Sequence, residues 1–211
     1  MRTAVLTVDQ RGSQSGPDLV PDALTLLNDA DRYGPVERAF ERTAGDEVQG
    51  ILSQGRSIVA RLEMLLRSDA WNIGLGLGSI ELPLPTSTRA GRGEAFVLAR
   101  AAVTRAKQQP SRLCVMGSGI VGAEPYRAEQ IETVAWLWAG VLTRRSARGW
   151  EVADMFAEGL THAEAAQRLG ISQSAISQRA QAAGLVEGER AATLLTELLD
   201  AALAPAPEDD D

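Results

Sequence analysis

Apolar positions in the first half of the chain change their spacing several times, and each change predicts a switch between strand and helix. Runs of strand type occupy residues 3–10, 36–55, 72–84 and 111–116, and the second of these contains a turn at 44–46. Runs of helical type lie between them, at 18–34, 56–71 and 93–109. After residue 124 every pattern is helical, at 128–145, 149–159, 161–170, 172–184 and 189–204.

This change of character at about residues 120–127 predicts two domains in an α+β chain. Residues 1–122 are expected to form a sheet with helices on one face, and residues 123–204 a helical domain. The segment 205–211 ends in EDDD and predicts a disordered acidic tail. The string GSGIVG at 117–122 lacks a following helix and strand, so we interpret it as an interdomain hinge rather than a dinucleotide site.

Composition excludes several classes of site. With one cysteine and one histidine among 211 residues, the chain has no internal disulfide, and a Cys/His zinc site is not expected. Cys114 lies in an apolar strand and predicts a buried small hydrophobe. The apolar runs are too short for a transmembrane helix or a secretory signal, so we expect a cytoplasmic protein without a membrane partner.

The net charge of −7 bears on partners, because its acidic excess lies after residue 120. A protein that holds nucleic acid by charge alone would be basic, so any such binding must come from a local surface.

Residues 161–185 carry the most specific pattern in the chain. Thr161 and Glu164 form a capping box, Gly170 suits a tight turn, and Ser172 caps a second helix. Two short helices joined by such a turn predict a helix-turn-helix. The pattern Ala-Ala, Leu-Gly-Ile-Ser and a later Ile resembles sigma-factor region 4 and related regulators.

The second helix of this motif supplies the candidate DNA contacts. Glutamine can hydrogen-bond adenine through N6 and N7, and Arg179 can reach a phosphate or a guanine. Arg144, Arg145 and Arg148 are candidates for contacts to the DNA backbone. The DNA-binding prediction comprises Ser172, Gln173, Ser174, Ser177, Gln178, Arg179 and Gln181.

Two features of the sequence bear on dimerisation. The apolar stripes of 128–145 and 189–204 predict a homodimer, as a two-fold operator requires. The alternative for the motif itself is a helical hairpin that pairs two subunits without binding DNA. Trp136, Trp138 and Trp150 are interpreted as core residues.

A second candidate site lies in the first half of the chain. Alternation places Asp9 on the same face of its strand as Thr7, while Asp46 and Glu47 lie in a hairpin turn. Gly74 and Gly76 share one face of a later strand, where another backbone or a flat ligand can approach closely. Carboxylates beside an open sheet face suit Mg²⁺ with a nucleotide. The alternatives are that Asp9 caps Gly12 or Ser13 and that the hairpin turn is only a turn.

The order strand, helix, hairpin with GDE, helix, glycine strand, helix, strand resembles the palm domain of class III nucleotide cyclases and GGDEF diguanylate cyclases. The resemblance implies a palm-like, ferredoxin-like sheet in which Asp9 and Asp46 hold a metal ion. It also implies that Glu47, Gly74, Gly76 and Arg100 contact a nucleotide. Val97 stands at the family's asparagine and Ala44 at a glycine of the hairpin, which implies lost catalysis. Over residues 3–185 the chain is also similar to the SatD family.

These features predict a DNA-binding transcriptional regulator. Its degenerate cyclase-like domain would sense a ligand, with a nucleotide as the leading effector, or would mediate dimerisation. Two alternatives stay open: an active Mg²⁺-dependent nucleotide cyclase, and a module without enzymatic activity that binds another protein.

Overall fold

The computed structural model describes residues 2–117 and 126–205. Five strands form one sheet: β1 (Arg2–Gln10), β2 (Arg38–Arg42), β3 (Glu47–Leu52), β4 (Trp71–Ser79) and β5 (Leu113–Gly117). In the first half the helices are α1 (Val20–Leu27), α2 (Ala30–Tyr33), α3 (Gly55–Ser68) and α4 (Glu94–Ala106), with one 3-10 turn at Thr88–Ala90. After the gap come α5 (Tyr126–Leu142), α6 (Ala147–Ala157), α7 (His162–Leu169), α8 (Gln173–Ala182) and α9 (Leu185–Leu203).

The strand order is β2-β3-β1-β4-β5, so the α+β class is confirmed. Neighbouring strands run antiparallel except for β4 and β5, which are parallel and joined through α4. β1 lies in the centre, and its Asp9 is opposite Glu47 on one side and Asn72 on the other. The sheet therefore brings three polar side chains from separate strands to one end.

The first predicted helix is divided in two. Residues 18–34 contain α1 and α2, and the break lies at Asn28. The Asn28 side chain accepts from the backbone N–H of Phe40 at 2.7 Å and donates to its carbonyl at 3.0 Å. Asp29 then caps α2 by accepting from the N–H of Arg32. The helix ends here because Asn28 bonds to strand β2 instead of continuing the turn.

One face of the sheet carries large apolar side chains and forms the main core. Leu6, Val8, Ile73 and Leu75 are buried there against α1, α3, α5 and α9. The apolar stripes of α5 and α9, which the sequence predicted to pair two subunits, pack within one chain. They are therefore occupied in the folded chain, and they do not provide the expected dimer surface.

The opposite face carries glycine, and α4 covers it. A Cβ atom added to Gly76 would lie 2.3 Å from the carbonyl oxygen of Ala95 and from the backbone N of Ala99. At Gly74 the added atom would lie 2.2 Å from the backbone N of Val103. Helices thus cover both faces, and the prediction of helices on one face is wrong. The sequence predicted that another backbone or a flat ligand approaches these glycines, and in the structure the backbone of α4 does so.

A separate small core holds α6, α7 and α8 together. Val152, Met155, Ala165, Ala166 and Ile176 are buried in it. Trp138 and Trp150 belong instead to the main core, and Trp136 packs against it, as predicted. The described residues leave out the predicted boundary at 122 and 123, the GSGIVG string from Ser118 onward and most of the acidic tail. The domain division therefore stays a prediction.

Cys114 is fully buried beneath α4, as predicted. Burial, followed by a hydrogen bond with Glu132, raises the pKa of its thiol to about 12, so the thiol stays protonated. Within the described residues, no helix has a stretch long and apolar enough to cross a bilayer.

We predict that Gly76→Ala destabilises the fold. The new methyl group would overlap the backbone of α4, and overpacking of this kind costs about 1–3 kcal/mol. For a chain of this length each kcal/mol lowers the melting temperature by about 2–4 °C, which calorimetry measures.

Gly140→Ala in α5 is the matched control. A Cβ atom at this position meets nothing within 4 Å. Alanine is the better helix former, by about 1 kcal/mol, so this variant should melt slightly higher than the wild type. Equal behaviour of the two variants would contradict the packing of α4 on the glycine face.

Candidate nucleic-acid interface

Local hydrogen bonds define both helices of the predicted motif. The Thr161 hydroxyl accepts from the N–H of Glu164, and the Glu164 carboxylate accepts from the N–H of Thr161 at 2.8 Å. Ser172 caps α8 by accepting from the N–H of Ala175 at 3.2 Å. The capping box and the second cap are therefore present as predicted, and they set where each helix begins.

The turn between the helices depends on Gly170. Its φ of +64° lies in the left-handed region, which glycine adopts without steric cost. The next residue, Ile171, donates its N–H to the carbonyl of Ala166 at 3.1 Å and packs against the small core of α6 to α8. This geometry turns the chain sharply, so that α8 crosses α7 instead of extending it.

α8 presents a polar face to solvent. Ile176 is fully buried on the inner side. Ser174, Ser177, Gln178 and Gln181 follow the spacing of one helical face and are exposed. Gln173 is exposed one turn before Ser177.

Not all of the predicted side chains are free to bind a partner. The Ser172 hydroxyl is used as the cap, and Ser177 donates to the carbonyl of Gln173 at 3.1 Å. Gln173, Gln178 and Gln181 make no side-chain hydrogen bond within the described part of the chain. These three amides are the donors and acceptors that α8 offers outward.

Carboxylates reduce the positive charge around this face. Arg179 lies 3.4 Å from Glu151 and is half-buried, and Arg168 lies 2.6 Å from Glu158. Arg144 and Arg148 are exposed, without an acidic partner among the described residues. The interface therefore combines an uncharged polar helix with a small number of cations.

Arg145 does not fit the predicted role in backbone contacts. Its side chain is only 5% exposed. The Nε group donates to the carbonyl of Ala183 at 2.8 Å, beyond the end of α8, and the guanidinium lies 3.7 Å from Glu63 of α3. Burial lowers the pKa of Arg145, with Glu63 opposing the shift. Arg145 thus holds the helix-turn-helix onto α3 and cannot reach a phosphate.

These contacts agree with the comparison to protein families. Residues 152–183 match the family model for region 4 of sigma-70. The region-4 match begins in α6 and ends just after α8, so it covers the small core and both helices of the motif. It spans a minor part of the chain. Comparisons with curated proteins and with solved structures gave no match.

Charged and aromatic side chains connect the helices α6 to α8, called here the region-4 unit, to α3. The ring of Trp150 on α6 contacts two guanidinium groups, with Arg67 at 4.5 Å and Arg145 at 4.7 Å from the ring centroid. Arg67 also makes a two-fold ion pair with Asp154, at 2.6 and 2.8 Å. Burial raises the pKa of Glu63, while Arg145 and Arg67 oppose that shift. The sequence identified Trp150 as a core residue but contained no signal for its two arginine partners.

The predicted site in the first half forms a different arrangement. Asp9 accepts from Lys107 at 2.8 Å and from Asn72 at 3.1 Å. Glu47 accepts from Arg100 at 2.8 Å and from Thr43 at 2.6 Å. Asp9, Glu47 and Arg100 are therefore brought together. Arg100 and Lys107, on α4 and at its end, neutralise both carboxylates, so these pairs connect α4 to the sheet. Asp9 caps neither Gly12 nor Ser13.

The remaining predicted ligand residues are separated from this cluster or covered. Gly74 and Gly76 lie under the backbone of α4, so the prediction that they contact a ligand is wrong. Asp46 is half-buried in the turn before β3, and its carbonyl accepts from the N–H of Gln10. In the described ranges no three acidic, His or Cys side chains group as metal ligands. Beside α4, a groove of about 820 Å³ stays open over Gln49 and contains Arg100.

We predict that the charge of Glu164 stabilises the region-4 unit in a pH-dependent way. Hydrogen bonds from Thr161 lower the pKa of this carboxyl in the folded state. Its stabilisation is therefore present above the ordinary glutamate pKa, about 4.3, and is lost as the pH falls through the lowered value.

Urea unfolding of the wild type and of Glu164→Gln, from pH 7 to pH 3.5, measures this effect. Glutamine keeps an acceptor for the capping box and removes only the charge. The wild type should be the more stable at neutral pH, and the two curves should converge in acid. A difference that stays constant with pH would contradict the assignment.

Proposed function

We propose that the chain is a DNA-binding transcriptional regulator that reads base edges with α8. The observation that carries the proposal is the set of exposed amides of Gln173, Gln178 and Gln181 on the second helix of the region-4 unit. In helix-turn-helix proteins the second helix enters the major groove and its outward side chains meet the bases. Uncharged amides at those positions are suited to sequence reading.

Glutamine suggests which bases are read. Its amide can accept from N6 and donate to N7 of adenine, and each good two-fold contact contributes about 1–3 kcal/mol of discrimination. The exposed Ser174 hydroxyl shares a hydrogen bond of 2.9 Å with the Ser172 hydroxyl, so the amides are the main groups for base contacts. We therefore expect operator sites that contain A·T pairs in each half-site.

Phosphate contacts are expected to be few. Arg144 and Arg148 are free to bind the DNA backbone, whereas Arg168 and Arg179 must first leave Glu158 and Glu151. Since non-specific DNA affinity comes from neutralised phosphates, one chain should bind random DNA weakly.

A homodimer on a two-fold operator would double the contacts. On α9, the exposed Val186 and Leu194 share one face with Arg190 and could form its interface.

The carboxylates around the motif support a second candidate function. Glu151 pairs with Arg179 of α8 and Glu158 with Arg168 of α7, and a surface of mixed charge suits a protein partner better than DNA. In that case the region-4 unit would dock on another protein, without enzymatic activity.

Binding of a nucleotide with Mg²⁺ at Asp9 and Asp46, and its cyclisation, stay predictions, as does the similarity to the SatD family. The carboxylate of Asp9 would have to leave Lys107 first.

We predict that Gln178→Ala lowers affinity for a specific DNA site about 5- to 150-fold, as the loss of one two-fold base contact requires. The site is first obtained by mixing the protein with fragmented genomic DNA at about 0.15 M salt and sequencing the retained fragments. Fluorescence anisotropy with an enriched fragment and with random DNA then gives both affinities.

Gln130→Ala serves as the control, because Gln130 is also an exposed helical glutamine but lies on α5. It should bind like the wild type, and both variants should bind random DNA equally. Enrichment of no fragment would overturn the proposal and favour the protein-docking function. Equal loss in both variants would show that α8 is not the reading helix.

A further inference from the structure

A cleft between the sheet and the region-4 unit has the chemistry of a ligand site. Its volume is about 570 Å³, within the range of about 300–1,000 Å³ that small-molecule sites occupy. The walls come from the end of α3, the start of β4, the loop of residues 110–112 before β5, α5 and α6. It is distinct from the groove beside α4 and shares no residue with the Asp9 cluster.

Three tryptophans and three arginines are among the fifteen residues that line this cleft. Three of the chain's four tryptophans border it: Trp71, Trp136 and Trp150. Trp71 and Trp150 are buried, and Trp136 is held in place because its indole N–H donates to the carbonyl of Leu113 at 2.8 Å. Fixed aromatic walls of this kind suit a flat ring.

The charge of the lining is positive, in contrast to the chain as a whole. Among the described residues, Arg67, Arg112 and Arg145 border the cleft, against Asp69 as the one acidic side chain. Arg112 has no carboxylate partner among the described residues, and it donates to the carbonyl of Lys107. Asp69 is itself paired with Arg11 at 2.6 Å. An anionic group on a ligand therefore has a guanidinium available to it.

We propose that this cleft binds a small organic anion with a planar aromatic ring. The ring would pack against Trp136, which is half-buried, because Arg67 and Arg145 already contact the ring of Trp150. The anionic group would bind Arg112 and compete for Arg67. Aromatic carboxylates and purine mononucleotides share this chemistry. The positive charge of the lining should lower the affinity for cations. An anion without a ring would leave the aromatic surface of the cleft uncovered, so it should also bind more weakly.

Occupation of the cleft would also act on the region-4 unit, a step that rests on the proposed function. Trp150 of α6 is one wall of the cleft, Arg67 bonds Asp154 of α6, and Arg145 bonds Ala183 beyond α8. A bound anion that draws Arg67 from Asp154 changes a contact that holds α6 on α3, and α8 packs on α6 in the same small core. Couplings between sites typically change affinity about 5- to 150-fold.

Isothermal titration calorimetry with defined probes tests the site. Indole-3-acetate represents the carboxylates, and adenosine and guanosine 5′-monophosphates represent the nucleotides. Indole, acetate and inorganic phosphate separate the ring from the charge. We expect one of the two complete classes to bind and the partial molecules to bind at least about tenfold more weakly, because ring and charge contribute together.

Two variants locate the binding. Gly140→Leu places a side chain at the cleft where a Cβ atom meets nothing within 4 Å, so it should fold normally and abolish binding. Arg112→Gln should weaken binding at least about tenfold, as loss of a charge-assisted bond does. Arg56→Gln, at an exposed position of α3, is the control of equal charge change. Absence of binding by every probe, or binding unchanged in Gly140→Leu, would overturn the proposal.

Anisotropy with and without the bound probe tests the coupling separately. The DNA affinity of the wild type should change about fivefold or more, and that of Gly140→Leu should not. Unchanged affinity in the wild type would overturn the coupling. Failure to bind DNA at all would reject the proposed function, while the calorimetry would still decide the ligand site.

Discussion

Both faces of the five-stranded sheet need a cover, and the size of the side chains on each face determines what covers it. β1 and β4 contribute leucine, valine and isoleucine to one face. Helices pack on this face with their own apolar side chains between those of the strands. On the other face the glycines of β4 admit the backbone of α4. Because the leucine face is large, α1 and α3 do not complete its cover, and α5 and α9 from the end of the chain pack there as well.

This packing positions the region-4 unit. α5 and α9 are in the main core, and the helices between them in sequence, α6 to α8, lie beside α3. The small core of α6 to α8 has few large side chains. Its position therefore depends on the contacts at Trp150, where two guanidinium groups stack on one ring and pair with Glu63 and Asp154. Such contacts are directional, so they fix the orientation of α8 more narrowly than apolar packing alone.

Much of the local structure was predictable, because it depends on neighbours in sequence. The hairpin around 44–46, the capping box at Thr161 and the turn at Gly170 all follow from residues within a few positions of one another. The cover of the glycine face was not predictable, since glycine permits close approach without specifying what approaches. Arg61 shows the same limit: it occupies a buried position in α3 and donates to the carbonyls of Leu27, Tyr33, Ser57 and Gly34, which only the folded chain assembles. Burial lowers its pKa to about 10, so it remains charged at neutral pH.

The second half of the chain is acidic, but its net charge overstates how strongly its carboxylates oppose DNA binding. Several of its carboxylates are used inside the fold: Asp154 pairs with Arg67, Asp200 accepts from the N–H of Gly55 at 2.6 Å, and Glu132 accepts from the N–H of Val115 on the edge strand. α8 itself contains no acidic residue and one arginine. Exposed charges more than about 8 Å apart are largely screened at physiological salt. If α8 binds a duplex as proposed, the residues that meet the bases are its amides. The affinity for the phosphate backbone then depends on the exposed Arg144 and Arg148 and on the opening of the pairs Arg168–Glu158 and Arg179–Glu151.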